Sequence, residues 1–594
     1  MSNPFRRSMA SIAVAGLAGA GAFVVASPAQ SVPADTACPA PFPVADLAKG
    51  QLVDGLTVSS GNEPDVFTGE VLGVLEDGIA PGLDMILVRL SNVEIDRVGG
   101  IWAGMSGSPV YAEDGRIIGA VAYGLAGTSP VAGVTPAADM QAITAIGPEA
   151  ELDAAARVAI PARMQARLVE SGMATEREVA GGFEQLPTPV AVSGMRNLAR
   201  LNKLAGRLGL DNVHYYRAGS APSAQAEESE IFAGSNLAAS ISYGDLSMLG
   251  VGTTTMVCDG KPIGFGHPFG WFGETSLTLH SSDAIYIQED PTWAPFKVAN
   301  AGGPVGVIDQ DRLAGIKGLL GEVPETVQVV TTVHSGGRSR EGTTYVSVPM
   351  FAPDGAAFGL LSNQDRVFDR IGGGSALVHF TISGTTAEGE PFTVVRTNRY
   401  ANTFDISFDT IWEVGNAVWS LNENDLVGID IDNVDVTSTM SSKARMFRVG
   451  QIQIKSGGVW KTLTSDSVIK RHPGRLINYR AVLNSRRGEF GSKIVIGSVR
   501  VPEAAEPGSF GQLSLGQFFG GDCEECYFED VEGPASLQEI IDGIEDAPRN
   551  DEFVANLELF SESEEGAGMV TAQAKKLIGD VITNSKFFSV RIRR

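Results

Sequence analysis

The chain has 594 residues, 43% of them hydrophobic, with 71 glycines and only 7% aromatics. That length is too great for one core. The composition is that of a turn-rich, β-dominated globular chain of several domains, not of a disordered or membrane-embedded one. A formal net charge of −25 argues against nucleic acid and anionic membrane surfaces as partners, since both need a basic footprint.

The N-terminus reads as a secretory signal over residues 1–29: a basic start in "NPFRRSM", an apolar run in "ASIAVAGLAGAGAFVV", and small residues in "ASPAQS". Cleavage is expected after Ala26 or Ala29, with retention as an uncleaved anchor the alternative. No later segment reaches membrane-spanning length, so export as a secreted or envelope-associated protein follows. Cys38, Cys258, Cys523 and Cys526 make an even count, which in an exported chain points to disulfides. The sequence leaves their pairing open, and "CEEC" lacks the second ligand pair of a zinc site.

Residues 50–145 read as short strands between turns, as in "VFTGEVLGVLED", "MILVRLSN" and "RIIGAVAYG". Residues 146–235 change character. "PARMQARLVESGM" has helical spacing, as do Leu198, Leu201, Leu204 and Leu208 behind a cap at Ser193, and "AGSAPSAQAEESE" follows as a flexible linker. Strands return over residues 236–335. Residues 336–515 are expected to hold β-sandwich-like accessory modules, and residues 516–594 a mixed C-terminal segment with short helices.

Between the first strands lies "GGIWAGMSGSPVYAEDGRIIGAVAYG", with Ser106 in a Gly-rich turn. A serine becomes a nucleophile when a base takes its proton and amide N–H groups stabilise the oxyanion. Gly104 lets the backbone turn so that its amide and that of Ser106 face one oxygen; Gly107 removes bulk beside the nucleophile. The G-D-S-G-G-P turn of chymotrypsin-like peptidases has this layout. A plain Gly/Ser hairpin has the same letters, so the base must decide. Of six histidines, His267 stands out: "GKPIGFGHPFG" puts it on a Gly-flanked corner at a strand end, and His280 is the reserve. His379 reads as a strand residue, His472 as a surface turn, and nothing around His214 or His334 suggests a site.

These segments resemble the SpoIVB-type serine peptidases, exported regulatory proteases. The likeness rests on "GMSGSP" followed by "GRIIGAV", on "FGHPF", and on "GGPVGVIDQDRLAGIKGLLG", covering residues 65–140 and 236–325. In the sporulation proteases the histidine precedes the serine, whereas here it follows by 161 positions. The resemblance implies a chymotrypsin-like double β-barrel with a helical insertion, one half giving Ser106 and the other His267, and a substrate that is an envelope or secreted protein, the chain itself included. It also places an aspartate about fifteen residues before the serine, where this chain has Ser91 beside Asn92. Asp84, at a Gly/Pro corner, is the expected third member; Asn92, or no third member, is the alternative.

No motif calls for a cofactor or metal. Asp309 and Asp311 in "VIDQDRL" read as a polar turn rather than a calcium loop, and "NENDLVGIDIDNVDV" as a half-buried strand with an acidic face. The expected activity is therefore a serine endopeptidase. A non-catalytic envelope scaffold that keeps a peptidase-like fold is the alternative. A calcium-dependent adhesion-like protein, resting only on the acidic β modules, comes third.

Overall fold

In the computed structural model the structure describes residues 38–593, apart from 126–127, 147–156, 159–161, 171–174, 182, 187, 196–212, 291–293, 518–532 and 564–565. The expected signal segment, the Leu198–Leu208 helix and the "CEEC" pair lie outside the described residues. The chain is mainly β, as the strand-and-turn spacing implies.

The first strands are β1 (Leu52–Thr57), β2 (Asp65–Ala80), β3 (Leu83–Ser91), β4 (Pro109–Ala112), β5 (Ile117–Leu125) and β6 (Val131–Pro136). They pair in the order β4-β1-β2-β3-β6-β5, and β5 pairs back onto β4, so the six close into a barrel. Every residue of β5 is buried. Its near-continuous apolar run is the pattern of a strand covered on both faces. Phe67, Ile86, Val88, Trp102 and Ile118 fill one core of this half.

Past the barrel come β7 (Arg157–Val158), a helix Ala162–Glu170 within "PARMQARLVESGM", β8 (Phe183–Gln185), β9 (Thr188–Ser193) and β10 (Val213–Arg217). This part, expected to be helical, therefore also carries strands. Residues 218–230 do not behave as a free linker: Ala221 is buried and its carbonyl accepts the Gly244 amide, while the Ala226 amide donates to Pro304. Backbone pairing to neighbouring strands outweighs the polar composition that suggested flexibility.

A second set follows: β11 (Asn236–Gly244), β12 (Ser247–Cys258), β13 (Lys261–Gly264), β14 (Gly273–Gln288), β15 (Phe296–Arg312) and β16 (Gly315–Leu320). Its pairings run β12-β13-β16-β15-β14-β11 and return from β11 to β12, again a closed ring of six. A disulfide joins Cys38, ahead of β1, to Cys258 at the end of β12, and so ties the N-terminal arm to this second ring. The expected polar turn at Asp309 and Asp311 is instead the last part of β15, where Asp309 pairs with Lys317.

The second ring's sheet continues through β17 (Val327–Ser335), β18 (Arg338–Val346), β19 (Gly374–Thr386), β20 (Pro391–Asn402) and β21 (Ile429–Ser441). The helix Ala352–Phe368 packs on β17 and β18, and the helix Trp412–Asn422 on that helix. Exposed and buried residues alternate along most of β21, with its aspartates outward. The last module packs two sheets around Phe447, Tyr479, Leu513, Phe553 and Phe588. The strand Phe510–Gly516 pairs with Glu552–Ser563 and Ser585–Ile592, so this sandwich draws on both 336–515 and 516–594.

Candidate active site

Ser106 lies in the turn leading into β4, on the first ring, and His267 on the corner between β13 and β14, on the second. The structure brings them together: Ser106 Oγ and His267 Nε2 are 2.7 Å apart. The other ring nitrogen, Nδ1, is 2.8 Å from the Pro268 carbonyl. A carbonyl only accepts, so Nδ1 carries the proton and Nε2 presents a lone pair to the serine hydroxyl. Burial lowers the His267 pKa from 6.5 to about 4 against the opposing pull of the Pro268 bond, so the imidazole is neutral at pH 7. Ser106 is 4% exposed and His267 0%.

Local backbone explains why these two residues project as they do. Gly104 and Gly107 have φ of +101° and +96°, values that side-chain-bearing residues rarely adopt. A Cβ on Gly107 would stand 1.9 Å from the Thr253 carbonyl, so only glycine lets the two rings approach here. Within the turn, Met105 N–H donates to Trp102, Gly107 N–H to Val121 and Ser108 N–H to Met105. The Gly104 and Ser106 amides, which alternate with these, have no acceptor among the described residues. On the other side Phe265 and Gly266, with φ of +66° and +70°, make the sharp corner that aims His267 inward.

The turn is held from below by the second ring. Thr253 N–H donates to the Ser106 carbonyl at 2.8 Å, Thr253 Oγ1 to Gly104 O at 3.1 Å, and Thr255 Oγ1 to Gly107 O at 2.7 Å. Lys297 N–H donates to the Ala103 carbonyl, and its fully buried amine donates to Asn236 Oδ1 at 2.8 Å. Burial pushes that amine down to about 7, against the nearby Asp65 charge. Thr135 Oγ1 donates to the Gly266 carbonyl and so fastens the first ring to the His267 corner. Asp311 accepts the amides of Phe269, Gly270 and Phe272 and closes the turn after the histidine.

Asp84 is not brought to the pair. Its Oδ1, at the start of β3, accepts the Asp77 amide near the end of β2, and a backbone carbonyl fills the place expected for its carboxylate. A carboxylate at a tight corner finds its nearest free amide before any distant partner. Asn92 caps the helix Val93–Val98 by accepting the Ile95 amide at 2.7 Å. His280, the reserve, forms a separate pair with Ser240 Oγ at 2.8 Å. Sequence reading missed Thr253, Lys297 and the Pro268 carbonyl. A lysine alone in the apolar "APFKVANAGG" was the one available signal.

No groups of three or more His, Cys, Asp or Glu side chains suited to a metal occur among the described residues. Nor, among them, is any helix long and apolar enough to cross a membrane. Comparison with protein-family models, curated proteins and solved structures finds no match to this chain.

Proposed function

We propose that the protein is an exported serine endopeptidase of chymotrypsin-like architecture, acting on envelope or secreted proteins. The observation that carries this reading is the 2.7 Å contact between Ser106 Oγ and the unprotonated Nε2 of His267, with amides at Gly104 and Ser106 that have no acceptor among the described residues. Two closed six-stranded rings with the pair at their junction supply the architecture; the serine-first order is compatible with it, since triads occur in several chain orders. Ser106 attacks the scissile carbonyl as His267 takes its proton, and the two amides hold the oxyanion. His267 then protonates the leaving amine, and water, deprotonated by the same imidazole, releases the acyl group. The disulfide between Cys38 and Cys258 supports an oxidising compartment and so export.

The scaffold alternative draws on one observation, the carbonyl in place of a carboxylate behind His267. A carbonyl fixes the tautomer but supplies less charge to stabilise the imidazolium, so a slow enzyme is expected. A fluorophosphonate probe separates the readings. Wild type is expected to be labelled at Ser106, with labelling abolished in Ser106→Ala; a folded wild type that stays unlabelled would favour the scaffold.

A further inference from the structure

The strand β8 stands outside the closure of the first ring, and its position relates directly to Ser106. One edge of β5 is taken by β6. The other is shared end to end: β4 pairs with the first half, through Pro109↔Ala120 and Val110↔Gly119, and β8 with the last three residues, through Tyr123↔Gln185, Gly124↔Glu184 and Leu125↔Phe183. Both run antiparallel to β5, so β8 heads toward the start of β4. One more bond, Leu186 N–H to the Ala122 carbonyl at 2.9 Å, extends the ladder. The next residue of β5, Val121, accepts the Gly107 amide and donates to the Ser108 carbonyl. The ladder of β8 on β5 therefore runs, at Leu186, up to the turn that carries the nucleophile, before the chain passes into β9.

We infer that residues 183–186 occupy the peptide-binding edge of the site as a tethered, substrate-like segment, and that the enzyme's substrates are extended chains with a medium-sized aliphatic side chain where Leu186 lies. The inference rests on the serine-peptidase reading. Extended peptides gain affinity by adding a strand to a free sheet edge, with pockets for individual side chains giving specificity. Here the Leu186 side chain, 5% exposed, belongs to the core that holds Ile101, Trp102 and Met105. A Cβ on Gly124 would come within 2.9 Å of Leu186 Cδ2 and 3.1 Å of Ile101 Cδ1, so this glycine opens the space the leucine fills. A charged side chain buried among these apolar residues would incur a large desolvation cost. Gln185 Nε2 donates at 2.9 Å to the Pro268 carbonyl, the same atom that orients His267, so the segment touches both halves of the site.

The tether makes the occupant hard to displace. An intramolecular segment acts at an effective concentration on the order of millimolar, so a free peptide of similar affinity competes poorly until the segment leaves.

The test compares full-length wild type with Leu186→Asp, which places a charge in the apolar pocket, and with the milder Leu186→Gly. Fluorophosphonate labelling of Ser106 is expected to be about tenfold faster in Leu186→Asp and intermediate in Leu186→Gly. Against the freed site, a peptidyl phosphonate ending in Leu is expected to react about tenfold faster than the same peptide ending in Lys or Asp. Labelling in all three proteins at one rate, or a preference for the charged probes, would overturn the inference and leave the peptidase reading intact. Absence of labelling in every folded protein would remove the peptidase reading and the inference with it. Should Leu186→Asp fail to fold, Leu186→Gly and the probe series on wild type decide.

Discussion

Among the described residues two buried serine–histidine pairs are nearly identical as pairs. Ser106 and His267 meet at 2.7 Å, Ser240 and His280 at 2.8 Å. In each, the second ring nitrogen is bonded to a backbone carbonyl, Pro268 in one and Gly302 in the other. Both imidazoles are fully buried and lowered to about 4 by that burial. The backbone separates them. Ser240 sits inside β11, between β12 and β14, where the ladders occupy the amides. Ser106 sits in a glycine turn with two amides that have no acceptor among the described residues, at the meeting of two rings and beside a sheet edge. A hydroxyl next to an imidazole is common hydrogen bonding; the turn and the edge are what set the Ser106 pair apart.

The largest expected contrast follows from this. Ser106→Ala should abolish fluorophosphonate labelling and His267→Ala should slow it by on the order of 10³-fold, while Ser240→Ala should leave it within about twofold. Labelling that survives Ser106→Ala but not Ser240→Ala would reverse the assignment. Next in size is Gly104→Ala. At φ +101°, with Lys297 Cβ 2.8 Å from the added methyl, the substitution must move the turn, and labelling should drop about 10²-fold if that amide holds the oxyanion. An unchanged rate would remove Gly104 from the hole.

The pairs should behave alike toward pH. Each imidazole is held below the 6.5 of an unfolded chain, so between pH 6.5 and about 4 the unfolded state binds more protons. The contribution of each neutral histidine is complete above pH 6.5 and is lost as pH falls through that window, on the order of 3 kcal/mol apiece. Denaturant titrations should show stability falling over this range, with a shallower fall in His280→Asn. Labelling of folded wild type should persist to about pH 5 and decline near 4; a midpoint at 6.5 would mean an exposed, ordinary base. The smallest effects are expected at two positions. Ser240→Ala leaves a buried ring nitrogen without its partner and should cost about 1–2 kcal/mol, read by thermal melting. Asp84→Asn should leave labelling within about twofold, since its carboxylate serves the Asp77 turn.

Much of this was legible in the letters because it depends on local chemistry. Strand alternation, the Gly104 and Gly107 turn, and the corner at "GFGHPFG" are statements about φ, ψ and side-chain period within a few residues. Those constraints picked out Ser106 and His267 and marked β21 as a strand with an acidic face. The third partner of the histidine was not legible, because it is a carbonyl, which every residue carries. Nor could sequence separate Ser240–His280 from Ser106–His267, bring Lys297 beneath the turn, or show that residues 183–186 lie on the edge of β5. These depend on which strands pair and in what register, and that is settled by burial across the whole chain rather than by neighbours in sequence. Residue type made a serine on a glycine turn and a histidine on a corner available; closure of two rings against each other decided that they meet.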